Sequence, residues 1–107
     1  LRNRTLLEGI LRTQPILRQT PAGIPIVEGE LEHESEQTET GLQRKVKCVV
    51  NFVVIGNKAS HFSRATVPCT VRCKGFLAAR SLRQPDRLVL HIDEYEFSEL
   101  RKDHVPT

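Results

Sequence analysis

Apolar and polar residues alternate along most of this chain, with the period of strands. Leu7, Gly9 and Leu11 fall at spacing two, as do Val27, Gly29, Leu31 and His33. That spacing marks half-buried β-strands, not a helical stripe. The pattern predicts five strands, at about Thr5–Arg12, Ile24–Glu36, Arg44–Ile55, Thr66–Arg80 and Arg87–Phe97. Pro21, Gly23 and Pro25 punctuate the first connection, because proline fixes φ and lacks a donor while glycine reaches positive φ. The third strand puts Val46, Cys48, Val50, Phe52 and Val54 on one face, and Lys45, Lys47, Val49, Asn51 and Val53 on the other. The fourth points Cys69, Val71, Cys73, Leu77 and Ala79 inward; the fifth points Leu88, Leu90 and Ile92 inward. Gly75 predicts a bulge or bend of the kind that barrel corners require. The link Lys58–Arg64 is too short for more than a helical turn, and Ser81–Asp86 reads as a hairpin loop. Five strands and no long helix predict an all-β fold. A five-stranded OB-fold barrel fits best, ahead of an SH3-like barrel or a short sandwich.

Charge adds a problem to this picture. Glu28, Glu30, Glu32, Glu34 and Glu36 share one face of the second strand, and such a row repels itself unless cations lie opposite. Folding about a turn at Thr38–Gly41 predicts Glu34 beside Lys45 and Glu32 beside Lys47. The net charge of +3 is segregated, with 44–87 basic and only Asp86 against it. A mild excess arranged in patches permits a polyanion partner without requiring one. Arg80, Arg83 and Arg87 flank the last turn, and Arg18 sits beside the Pro/Gly loop. Phe76 on the outer face of strand four and Phe62 in the link are candidates to stack on a base or cover a seam. Tyr95 and Phe97 read as packing residues, and His91 points outward. Leu6 and Ile10 make strand one apolar on its outer face too. A strand apolar on both faces is usually buried on both, which predicts a homodimer interface there.

Several function classes drop out. A chain of 107 residues is one domain with a small core. The expected division is an OB domain over 1–98 and a flexible tail over 99–107. No apolar run approaches the roughly 20 residues of a membrane span. Cys69 and Cys73, four apart in a strand, would sit about 13 Å apart, beyond the roughly 7 Å limit of a disulfide. The three cysteines therefore read as small buried hydrophobes in a reducing cytoplasm. No CxxC pair exists, and His33, His61, His91 and His104 are scattered, so no metal is expected. There is no phosphate loop opening a helix and no nucleophile elbow. No cofactor, catalytic residue or enzyme activity is expected.

The residues also carry a resemblance. Asn3-Arg4, Gly9, Pro15, Pro21-Ala-Gly-Ile-Pro25, Leu31-Glu-His33 with Ser35, Gly41, Arg44, Cys48, Gly56, Gly75-Phe76 and Val89-Leu-His91 stand in register. In this set the chain resembles the PriB family (primosomal replication protein N), relatives of bacterial single-stranded DNA-binding proteins. The resemblance implies an OB-fold homodimer that binds single-stranded DNA and bridges the PriA helicase and DnaT when stalled forks restart. Single-stranded DNA-binding protein is a further implied partner, and a bacterial cytoplasm with nucleoid association the implied location. The expected DNA contacts are Arg18, Arg44, Lys45, Lys47, Lys74, Phe76, Arg80, Arg83 and Arg87, with Leu6 and Ile10 in the dimer interface. Lys47 stands where the family pattern has an aromatic, Ser81 where a lysine could sit, and the glutamate row is unusual for a polyanion binder. Binding through phosphates, of modest affinity and little base preference, is the expectation. A dimeric protein-interaction module that touches DNA weakly or not at all remains the alternative. A general single-stranded DNA-binding protein is disfavoured by the ending His104-Val-Pro-Thr107, which is not a long acidic tail.

Overall fold

Strands long enough to cross a barrel wall twice over dominate the computed structural model, which describes residues 1–100. The elements are β1 (Thr5–Leu11), β2 (Arg18–Gln19), β3 (Pro25–Glu39), β4 (Leu42–Ile55), α1 (Asn57–Phe62), β5 (Cys69–Ser81) and β6 (Gln84–Glu99). Their order in the sheet is β1-β5-β6-β4-β3-β2, and β1 also meets β3, which closes the five longer strands into a barrel. All pairings are antiparallel except β4 with β6. This is the predicted OB architecture. The predicted tail, from residue 101 on, lies outside the described residues; Glu99 itself ends β6. No helix among the described residues is long and apolar enough to cross a membrane.

Leu11, Val27, Leu31, Phe52, Val54, Val71, Cys73 and Leu90 fill the interior, as the alternation predicts. The helix α1 adds Ala59 and Phe62. Phe62, by sequence a candidate to stack on a base or cover a seam, is fully buried. Its ring meets Phe52 at 5.2 Å and Tyr95 edge-on at 4.9 Å, an aromatic plug between β4 and β6. The gain from apolar burial and edge-to-face packing decides its place.

Both hairpins are longer than the sequence suggests. Between β3 and β4 the connection is two residues, Thr40 at φ 49° and Gly41 at φ 80°. Two left-handed residues match the twist of the flanking strands, so pairing continues to Glu39 and Leu42. The register is therefore not the predicted one. Glu34 pairs with Lys47 and Glu36 with Lys45, while Glu32 lies opposite Val49. Between β5 and β6 the turn is Leu82-Arg83, and Gln84–Asp86 belong to β6 and not to a loop. Each hairpin runs past the barrel, where neither face has an interior to enter. Ala79, Leu88 and Cys48 are accordingly exposed, against the expectation that they point into the core. The first connection also holds the short β2, paired with Pro25 and Ile26.

The corner predicted at Gly75 is present. Lys74 pairs with Glu94 but Gly75 with Ile92, so Asp93 is an extra residue on β6. The extra residue moves the inward phase from Leu90 and Ile92 to Tyr95 and Phe97. A Cβ on Gly75 would lie 1.8 Å from the His91 carbonyl oxygen. Around this bulge the chain is tied down. Asn3 continues the β1–β5 ladder with its side chain, donating to the Leu77 carbonyl at 2.7 Å and accepting from the Leu77 N–H at 2.9 Å. Arg4 contacts Asp93 at 2.8 Å and Glu94 at 3.1 Å, and Lys58 donates to the Asp93 carbonyl.

Two outcomes follow. Gly75→Ala should lower unfolding free energy by roughly 3 kcal/mol or more, at the upper end of overpacking costs because the clash is with backbone; denaturant titration measures this. Burial pushes the Cys73 thiol up to about 11 and raises that of Cys69. Both should remain protonated and resist alkylation in the native protein at pH 8, and react once it is unfolded. Mass spectrometry after a timed alkylation reads the result.

Candidate nucleic-acid interface

Barrel closure assembles a row of four residues from four strands on the outer face. Glu28 pairs with Val53, Val53 with His91, and His91 with Phe76. The row thus crosses β3, β4, β6 and β5. Phe76 and His91 stack at 4.9 Å with their planes 14° apart. On the neighbouring step, Glu30 pairs directly with Asn51. A groove of about 440 Å³ follows these positions, with Glu30, Asn51, Val53, Ile55, Arg80 and His91 among its walls. A second hollow, of about 460 Å³, lies where His91 and Phe76 face Lys58 and Ile55. The size and the mixed apolar and polar lining are those of a ligand cleft. Among the described residues no cluster of three or more His, Cys, Asp or Glu side chains could hold a metal.

The glutamate row is relieved by cations from three directions. Arg18 on β2 meets Glu28 at 2.8 Å, Arg12 past β1 meets Glu32, and Lys47 on β4 meets Glu34 at 3.9 Å. Arg44 meets Glu39 at 3.7 Å near the hairpin tip. These pairs are exposed, so they offset repulsion more than they add stability. Glu30 and Glu36 make no ion pair among the described residues.

The predicted site residues divide into groups. Arg18, Phe76 and Arg80 stand at or beside the groove, and Arg83 and Arg87 extend the basic edge along the β5–β6 hairpin. Arg80, Arg83 and Arg87 make no ion pairs among the described residues, so their guanidinium groups face solvent. Lys47, Lys45 and Arg44 lie on the far half of β4, the first of them about 13 Å along the strand from Asn51. Lys74 is on β5 between Leu6 and Glu94. Phase alone placed His91 outward without a role; its pairing with Phe76 needs the β5–β6 register. Glu30 and Asn51 were legible as outward residues but not as neighbours, because the predicted register was wrong. Leu6 is largely exposed on the outer face of β1. Ile10 is half-buried and aligned with Glu32 and Val49 across β3 and β4.

A family model described as another single-strand binding protein family matches residues 3–94. The replication restart protein PriB of Yersinia pseudotuberculosis is 33% identical over 97 residues, which is 89% of this chain and 92% of that one. The chain belongs to the PriB family. The PriB of Nitrosomonas europaea is also 33% identical, over 91 residues covering 85% of this chain and 83% of that protein. The crystallised PriB of Ralstonia solanacearum superposes with a TM-score of 0.78 at 31% identity, over 92% of this chain and all of that one. The single-stranded DNA binding protein of Thermus aquaticus superposes with a TM-score of 0.75 over 94% of this chain and 52% of its own. At 20% identity that likeness carries the fold alone. Asn3 and Arg4 bond at the β5–β6 corner beside Gly75, next to the Phe76–His91 stack.

Proposed function

We propose that this protein binds single-stranded DNA in the groove beside the Phe76–His91 stack and serves replication restart without catalysing a reaction. The observation that carries the reading is the juxtaposition of a stacked ring pair with Arg80, Arg83 and Arg87, which make no ion pair among the described residues. Bases stack on flat rings and phosphates meet arginine forks, and neither contact requires a particular sequence. Duplex DNA keeps its bases inside and offers nothing to the rings. The working unit is a homodimer joined along the outer face of β1 through Leu6 and Ile10. It acts in the bacterial cytoplasm at the nucleoid, linking PriA to DnaT, with single-stranded DNA-binding protein as a neighbour. The carboxylates along β3 favour a second reading, a dimeric module that docks proteins and touches DNA weakly or not at all.

Fluorescence anisotropy with a mixed-sequence single strand and the matching duplex separates the two. The expected result is single-strand binding that is clearly tighter and falls steeply with salt, with a slope of roughly −0.7 per phosphate neutralised. Arg83→Ala should weaken every single strand about equally and flatten the slope by under about one unit. Weak binding of both, or binding of neither, would support the docking module. For the seam, Ile10→Asp places a charge in the proposed interface and should yield a monomer in sedimentation velocity where the unaltered protein sediments as a dimer. An Ile10→Asp protein that still sediments as a dimer would place the interface elsewhere.

A further inference from the structure

We infer that Glu30, paired with Asn51 in the main groove, makes that groove select nucleobases bearing an exocyclic amino group, cytosine over thymine among the pyrimidines. The inference rests on the reading of the groove as a single-strand site. Of the two carboxylates lining it, Glu28 is engaged by Arg18 at 2.8 Å. Glu30 makes no ion pair among the described residues, and its opposite neighbour is the neutral Asn51. A phosphate brought against that carboxylate is repelled. The DNA backbone is therefore directed to Arg80 on the other wall and to the hairpin beyond it, and a base faces Glu30. An ionised carboxylate only accepts hydrogen bonds. The cytosine N4 amino group is a donor, and glutamate is a natural partner for it. Thymine presents its O4 acceptor at the same place, which sets acceptor against acceptor. Asn51 both donates and accepts, so its amide can satisfy the adjoining acceptor on the cytosine edge. Val53, Ile55 and Val89 supply apolar wall, which reduces competition from water. Of the stacked ring pair, His91 lines this groove and Phe76 does not. His91 is therefore the flat surface that meets the base. The basic hairpin remains indifferent to sequence; the base preference originates in the groove, a departure from the expectation of little preference.

The test is anisotropy with labelled oligo-dC and oligo-dT of equal length, at one salt concentration and at pH 8, where cytosine is neutral. The unaltered protein, Glu30→Gln and Glu36→Gln are compared. Oligo-dC should bind roughly fivefold or more tighter than oligo-dT. Glu30→Gln should bring the two close to equal, because an amide can also donate to O4. Glu36→Gln makes the same charge change on the same strand face outside the groove, and should keep the ratio. Circular dichroism checks that the exposed Glu30→Gln site leaves the barrel intact. Equal affinities in the unaltered protein, or a ratio that survives Glu30→Gln, overturn the inference and leave single-strand binding standing. Failure of both oligonucleotides to bind overturns the reading on which it rests, and the inference with it.

Discussion

The contact on which the rest depends is the close approach of β5 to β6 at Gly75. Only a residue without a Cβ lets the His91 carbonyl come so near. The bulge at Asp93 keeps β6 paired with β5 on both sides of the corner, and just before it β6 meets β4 in parallel at Leu90 and His91. The same bulge resets the inward phase, so that Leu90 and Ile92 serve the barrel interior while Tyr95 and Phe97 serve the aromatic plug around Phe62. It also sets His91 between Val53 and Phe76. Asn3, Arg4 and Lys58 all bond at this corner, which gives the N-terminal residues a structural purpose beyond β1.

Electrostatics is arranged in two layers across the outer face. The glutamate row on β3 is held by Arg12, Arg18 and Lys47, so part of the basic charge counted in the sequence is already occupied. On the β5–β6 hairpin, Arg80, Arg83 and Arg87 make no ion pair among the described residues, and Arg80 lines the groove. A polyanion is thus drawn to one wall and turned away from the other. On the proposed reading, that asymmetry orients a strand with its backbone toward the arginines and its bases toward the sheet. A groove with cations on both walls would hold a strand without orienting it.

Much of the architecture was legible from alternation and glycine alone. Strand number, the core of Leu31, Phe52, Val71 and Leu90 and the outward direction of Phe76 follow from period-two patterning, and the corner from the glycine at 75. The errors share one cause. Thr40 adopts a left-handed conformation beside Gly41, which a β-branched residue rarely does, so a turn expected over Thr38–Gly41 lies one residue later, over Glu39–Leu42, and the register shifts by two. That slip misassigned the partners of Glu32 and Glu34. Leu88 and Ala79 carry an inward phase, yet the hairpin outruns the barrel, and phase does not report where an interior ends. Phe62 lies in a link without periodicity, so only tertiary packing could place it. The phase break between Ile92 and Tyr95 was the available signal for the bulge, and it would also have brought His91 opposite Phe76.

The central claim is that the Phe76–His91 stack and the groove beside it receive a single strand. Aromatic and amide NMR shifts of labelled protein, followed as a mixed-sequence single strand is added, test this most directly. The account predicts the largest changes at Phe76, His91, Asn51 and Val53, with the interior ring of Phe62 little affected. Shifts concentrated on α1 or along β1, with Phe76 and His91 unmoved at saturation, would contradict it.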